Sequence, residues 1–303
     1  MKDVQQKTDD RPLHIIMVDG GLASQITKFA VGSLLEKNLN VKVKYDLLWF
    51  EQCGKDILGK ENRKYCLNDV FDIHIDVATV AEIKEYKVLY YYNHSQCFKY
   101  DDQLFSERCN RYVDGYFANY SYFSMAEDFI KKKLVFKIEL DNENLQIERQ
   151  IRLVEMPVAI HIRRGDFVGS VHEVLTADYY QRAIKVLLEK TSWSKPHFFI
   201  FSNDMQWVKD NLEMQFPVTY VECNNNDKGG FDMYLMTTCK HFIISNSYFG
   251  FWAAWLNSSV DKVVIAPDKW LNDKVESSQD FLKLIEGHDS GVATPPEWII
   301  IPT

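Results

Sequence analysis

Pro157-Val158-Ala159-Ile160-His161-Ile162-Arg163-Arg164-Gly165-Asp166 is an apolar run that breaks off into charge. The run is short and rich in β-branched residues, so 158–162 reads as a buried strand with two arginines at its carboxyl end. Downstream the pattern repeats, with a helix over 177–190, a strand over 197–201 and a helix over 204–212. A strand over 218–221, a helix over 231–239, a strand over 242–244, a helix over 248–256 and a strand over 262–266 follow. Strands alternating with helices at this interval need crossover connections, which predicts an α/β fold with a doubly wound parallel sheet. Ligands of such sheets bind beyond the carboxyl ends of the strands. Three polar clusters fall there: Arg163-Arg164-Gly165-Asp166, Ser202-Asn203-Asp204 and Ser245-Asn246-Ser247.

Upstream, 13–18 reads as another buried strand, stopped by Asp19-Gly20-Gly21. Ile26, Phe29, Ala30, Leu34 and Leu35 then recur at helical spacing, so the glycines mark a sharp strand-to-helix turn. A strand over 41–45 follows. Between 49 and 110 only a helix over 78–86 and a strand over 88–92 stand out, and no motif is placed there. An aromatic stretch, 112–123, precedes a helix over 125–136 and the polar run Asp141-Asn142-Glu143-Asn144. That run suggests a boundary, with helical continuation through Arg152 as the alternative, and gives an N-terminal domain of residues 1–150 and a C-terminal domain of residues 151–303.

The 303 residues can bury a core in each of two such domains. The net charge of −8, with no basic block beyond Lys131-Lys132-Lys133, argues against DNA or RNA as a partner. The lysine run reads as a solvated helix face. Six cysteines without a C-x-x-C pair, and no leader-like opening, predict a cytoplasmic protein with reduced, mostly buried thiols. The most apolar stretch, 242–256, contains Ser245, Asn246 and Ser247, so no integral membrane segment is expected.

Two arginines and an aspartate immediately after a buried strand suit a diphosphate. A guanidinium fork matches phosphate oxygens, each charge-assisted bond contributing roughly 1.5–3 kcal/mol. Asp166 is placed to orient one of them; a surface ion-pair cluster is the alternative reading. Ser202-Asn203-Asp204 and Ser245-Asn246-Ser247 both read first as helix caps, and second as groups that meet a nucleotide. Phe251, Trp252 and Trp255 read as core. Asp19-Gly20-Gly21 lacks G-x-G-x-x-G spacing, so a dinucleotide site has weak support. No Asp-x-Asp pair is present to converge on a divalent cation, and neither H-E-x-x-H nor G-x-S-x-G occurs. Neutralising a diphosphate then falls to the arginines, with no metal ligands expected.

The chain resembles the bacterial α-1,2-fucosyltransferases of glycosyltransferase family eleven. The resemblance rests on Gly20-Gly21-Leu22-Ala23-Ser24-Gln25, on Gly115-Tyr116-Phe117 with Tyr122-Phe123, on His161-Ile162-Arg163-Arg164-Gly165-Asp166, and on 201–212 and 231–256. The H-x-R-R-G-D segment is shared by several fucosyltransferase families; joined to N-S-x-F-x-x-W-x-A-W-L at 246–256 it is far more specific. The resemblance implies two Rossmann-like domains facing a cleft, of GT-B type, with the donor GDP-fucose on the C-terminal domain and a galactose-terminated oligosaccharide approaching from the N-terminal one. It implies inversion, from β-linked fucose on GDP to α-linked fucose on a 2-hydroxyl, with no metal or other cofactor. Arg163 and Arg164 would act on the diphosphate. Gly20, Gly21, Gln25, His161, Asp166, Ser202, Asn203, Asp204, Asn246, Ser247 and Phe249 would make up the donor-contacting set. For the base that takes the acceptor proton, Asp19, His172 and Glu173 are the candidates, with Asp19 put first. A cytoplasmic enzyme of this kind would decorate a polysaccharide precursor, with contact at the inner membrane face.

The chain departs from the family pattern in having Ala23-Ser24 for Gly-Asn, Asn203 for Asp and Gly250-Phe251 for Ser-Trp. These departures bear on acceptor choice and on finer donor contacts. They keep open a non-catalytic GDP-sugar or glycan-binding protein, and fucosyl transfer to another acceptor.

Overall fold

Strand β1 (Leu13–Met17) has four buried residues in succession and lies inside a sheet, as a strand apolar on both faces must. The computed structural model describes residues 9–55, 62–94, 98–172, 174–192, 195–224, 228–272 and 294–303. Gly20, at φ +71, turns the chain out of β1 in a left-handed conformation open to glycine, and α1 (Leu22–Leu39) starts at once, buried without a break over 25–35. Then come β2 (Lys42–Asp46), the short helices α2 (Leu48–Gln52) and α3 (Leu67–Val70), and α4 (Val80–Leu89), which a Thr79–Glu82 capping box begins. Strand β3 (Tyr91–His94), β4 (Arg111–Gly115), α5 (Ser121–Ser124) and α6 (Glu127–Lys133) complete this half. Its four strands are parallel, in the order β2-β1-β4-β3.

Helix α7 (Asn142–Leu153), capped by Asp141, leads into β5 (Met156–Ile162), in which all seven residues are buried. The alternation then runs α8 (Ala177–Lys190), β6 (Pro196–Ser202), α9 (Met205–Asn211), β7 (Val218–Tyr220), α10 (Gly229–Thr238), β8 (His241–Ile243), α11 (Tyr248–Leu256), β9 (Val264–Pro267) and β10 (Ile299–Ile301). All six strands are parallel, in the order β10-β9-β8-β5-β6-β7. The chain winds outward from β5 through β6 and β7, then resumes on the other side of β5 with β8. The crevice where the winding reverses, between β5 and β8, is where a doubly wound sheet binds its ligand. The protein is α/β, with two Rossmann-like parallel sheets in the GT-B manner.

The two halves share one apolar core, in which Ile16 and Leu34 from the first belong with Phe199 and Trp252 from the second. Trp252 reaches into the first half, donating from its indole nitrogen to Thr27 Oγ1 at 2.9 Å, and packs on Phe123 with ring centroids 5.0 Å apart. Phe251, Trp252 and Trp255 are therefore core, as expected from their sequence context.

Several local expectations change. The helix expected over 125–136 is shorter, confined to α6 at Glu127–Lys133. The polar run at 141–144 opens α7, so of the two readings there the helical continuation through Arg152 is the one found; the helix packs on α10, with Tyr234 donating to Glu148 at 2.8 Å. Lys131 is not a solvated side chain: it pairs with Glu127 at 2.7 Å and lies 5.1 Å from the Trp255 ring centre. Among the described cysteines only Cys239 is buried, whereas Cys66, Cys109 and Cys223 are half-buried and Cys53 is exposed. Cys97 lies outside the described residues.

Candidate active site

The register of the second sheet assembles the three polar clusters. β5 and β6 pair along their whole length, ending with Ile162 beside Ser202, so Arg163 and Asn203 emerge together. Asn203 uses both ends of its amide here. Its Oδ1 accepts from the Arg164 backbone N–H at 2.9 Å, and its Nδ2 donates to Asp166 Oδ1 at 3.2 Å. A carboxylate could not make the second bond without protonation, which gives the departure at 203 a physical role.

Asp166 Oδ2 accepts from Arg163 Nη2 at 2.6 Å. Burial pushes the Asp166 carboxyl up, but Arg163, through charge and hydrogen bond, and Arg63 more weakly, leave it below the usual carboxylate range. Arg164 lies with its guanidinium carbon 3.8 Å from the Trp207 ring centre, donates to the Leu175 carbonyl at 3.3 Å, and has Asp204 within 3.6 Å of its Nε. Asp204 also caps α9 by accepting from Trp207 N–H at 3.2 Å, and the Ser202 hydroxyl accepts from Asp204 N–H at 3.0 Å. Both guanidinium groups are thus held rigidly at the sheet edge, partly open to solvent, with side-chain exposures of 19% and 16%. Cations fixed in this way need little reorganisation to take up new negative charge.

On the β8 side, Ser247 caps α11 through the Phe249 N–H at 3.3 Å, and Asn246 is buried with Nδ2 donating to the Trp270 carbonyl at 2.9 Å. Ser245 Oγ and His161 Nδ1 are 2.9 Å apart, and Phe249 stacks on His161 with centroids separated by 5.4 Å. Burial, aided by the Arg163 charge, pushes His161 down to about 3, so it is a neutral imidazole near pH 7. A Cβ at Gly250 would stand 2.8 Å from His161 Nδ1, so glycine there lets α11 approach this ring.

The first half contributes Asp19 at the end of β1. Asp19 Oδ1 accepts from Ser24 Oγ at 3.1 Å and from Lys28 Nζ at 3.2 Å, while Oδ2 has no protein partner among the described residues. Lys28 is almost wholly buried and also points at the Met17 carbonyl, 3.4 Å away. Gln25 is saturated by backbone: its amide donates to the Gly20 and Lys64 carbonyls, and its oxygen accepts from Cys66 and Leu67 N–H groups at 2.9 and 3.2 Å.

Arg63 joins the two sets. Its guanidinium lies 3.8 Å from where a Gly21 Cβ would stand, and its Nη2 is 3.7 Å from Asp166 Oδ2. Arg63 gave no signal in the sequence. Asp232, in the first turn of α10, was also missed; burial pushes its carboxyl up to about 7, while Asn224 donates to it at 2.7 Å.

His172 stacks on Phe167 at 4.0 Å, and burial pushes it down to about 4. Glu173 lies outside the described residues. Among the described residues no group of three or more His, Cys, Asp or Glu stands together as metal ligands, and no helix is long and apolar enough to cross a membrane.

The family model for glycosyl transferase family 11 matches residues 64–286. The chain is 26% identical over 300 residues to the O-antigen biosynthesis glycosyltransferase WbnK of Escherichia coli, covering 87% of this chain and 97% of that protein. It is 27% identical to an α-1,2-colitosyltransferase of Escherichia coli, over 86% of this chain and 93% of the relative. The human galactoside α-(1,2)-fucosyltransferase 1 is 27% identical over 62% of this chain and 51% of its own length. Among solved structures, the fucosyltransferase NodZ from Bradyrhizobium superposes with a TM-score of 0.51 at 14% identity, over 80% of this chain and 93% of that one, a likeness of fold. By this match over most of its length, the chain belongs to glycosyl transferase family 11.

Proposed function

We propose that the chain is an inverting α-1,2-fucosyltransferase that moves L-fucose from GDP-β-L-fucose to the 2-hydroxyl of a β-galactoside without a metal ion. The observation that carries the reading is the pair of guanidinium groups, Arg163 and Arg164, fixed by Asp166, Asn203 and Trp207 at the reversal point of the second sheet. Family membership and the name of the human relative support the donor and the linkage. In this reading residues 1–150 take the acceptor and residues 151–303 the donor, in the cytoplasm or at the inner membrane face.

The acceptor oxygen attacks the anomeric carbon from the face opposite GDP, and the carbon–oxygen bond to the β-phosphate breaks with its electron pair leaving on the diphosphate. Arg163 and Arg164 stabilise that charge. Ser202, Asp204, Asn246, Ser247, Phe249 and the neutral His161 line the donor side, with the Gly20-Gly21 turn facing them. Gln25 serves by fixing the segment that carries Arg63. The acceptor proton passes to Asp19 Oδ2, which is open because Ser24 and Lys28 hold the carboxylate by its other oxygen. Incubation with GDP-fucose and lactose tests the proposal: release of GDP with appearance of a 2-linked fucosyl product is expected, and no turnover would favour a glycan- or GDP-sugar-binding protein.

The colitosyltransferase relative supports a second reading, transfer of a different deoxy sugar. A panel of GDP-sugars at fixed acceptor separates the two by rate.

A further inference from the structure

We infer that Lys28 is a positioning residue for the transfer step, a buried ammonium group that sets the rate by acting on Asp19 and touches neither substrate. The inference rests on the assignment of Asp19 as base and adds to it a residue that neither the motifs nor the family resemblance singled out.

Helix α1 is buried without a break over 25–35, and Gln25 and Thr27 spend their polar atoms on the fold. Gln25 is satisfied by backbone, while Thr27 accepts from the Trp252 indole N–H and donates to the Ala23 carbonyl at 2.9 Å. Lys28 is different. Its side chain is 2% exposed, and among the described residues Nζ reaches Asp19 Oδ1 at 3.2 Å and the Met17 carbonyl at 3.4 Å. Burying an ammonium group costs free energy that one ion pair recovers incompletely, and a methionine of similar length would fill the same space without that cost. The cation is therefore explained by what it does to Asp19 rather than by packing. Ser24 and Lys28, four residues apart on one face of α1, both donate to Oδ1. Two donors on one oxygen stop the carboxylate from turning, so Oδ2 keeps one direction, and Asp19 is 28% exposed while Lys28 behind it is closed off. Gly21, two residues on, lies beside Arg63, whose Nη2 is 3.7 Å from Asp166, so this end of β1 faces the edge that carries Arg163. An ammonium group on the buried side of a carboxylate also stabilises its charged form, the form that can accept a proton. Lys28 keeps its own protons throughout: the proton of the acceptor hydroxyl goes to Oδ2 and leaves from there to water.

Initial-rate kinetics of the full chain with GDP-fucose and lactose test this, using wild type, Asp19→Asn, Lys28→Met and the double variant. Asp19→Asn should lower kcat about 100-fold or more, the contribution of a general base. Lys28→Met should lower kcat about tenfold, the effect of a misdirected base, with both KM values within about twofold of wild type. In the Asp19→Asn background Lys28→Met should cost nothing further, since a residue that works through Asp19 then has nothing to act on. Lys28→Gln should give the same pattern, and it decides the matter if circular dichroism shows Lys28→Met unfolded. Wild-type kcat in the folded Lys28 variants, a loss carried by KM, or an equal loss with and without the Asp19 carboxylate would overturn the inference. Asp19→Asn turning over like wild type would instead remove the base assignment, and a wild type without turnover the transferase reading, on which it rests.

Discussion

Replacing His14 by leucine should flatten the pH dependence of stability in a way the structure makes calculable. His14 is fully buried within β1, with Nε2 2.9 Å from the Cys109 carbonyl and no partner for Nδ1. Burial pushes its imidazole down to about 4, against about 6.5 in the unfolded chain. Between those values the unfolded state binds a proton that the folded state does not, so stability is intact above pH 6.5 and is lost as pH falls toward 4. Integrating from pH 7.5 to 5.0 gives a loss of about 2 kcal/mol from this residue alone, a sizeable part of the roughly 5–15 kcal/mol that holds a typical domain together. His14→Leu removes that proton site whatever it does to packing at pH 7.5. Urea titrations of wild type and variant, followed by tryptophan fluorescence at both pH values, should show the variant losing about 2 kcal/mol less on acidification. An identical loss in both proteins would show that His14 does not resist protonation, and the reasoning from burial would be wrong.

Thr27→Val should lower stability by about 1–3 kcal/mol in urea titration, because the buried Trp252 indole N–H loses its acceptor across the two halves; a variant as stable as wild type would mean that bond contributes nothing. EDTA should leave the transfer rate unchanged in a continuous GDP-release assay. Complete loss of rate, restored by manganese, would refute metal independence.

The second sheet was legible because β5, β6 and β8 are short apolar runs, the last two followed by residues that cap helices. Asp204 and Ser247 fill those capping roles. β4 was not, because Arg111 and Asp114 interrupt its pattern; inside the sheet, Tyr112 satisfies its hydroxyl on Asp46 at 2.6 Å, and Arg111 donates to the Gln103 and Leu104 carbonyls. β10 is three isoleucines that need β9 beside them before they mean anything. Within the site, Arg163, Asp166 and Asn203 could be read from one chain segment and its neighbour strand. Gln25 could not: the resemblance put it in the donor-contacting set, while the structure has its amide atoms satisfied by backbone. Arg63 was invisible because its role comes from a contact 103 positions along the chain, with Asp166.

Transfer from GDP-fucose to lactose by Arg163→Ala, measured beside its thermal unfolding, should fall by about 100-fold or more while the melting temperature stays close to that of wild type, since Asn203 still holds Asp166. Near-normal turnover in that variant would contradict the claim that this guanidinium receives the charge of the departing diphosphate.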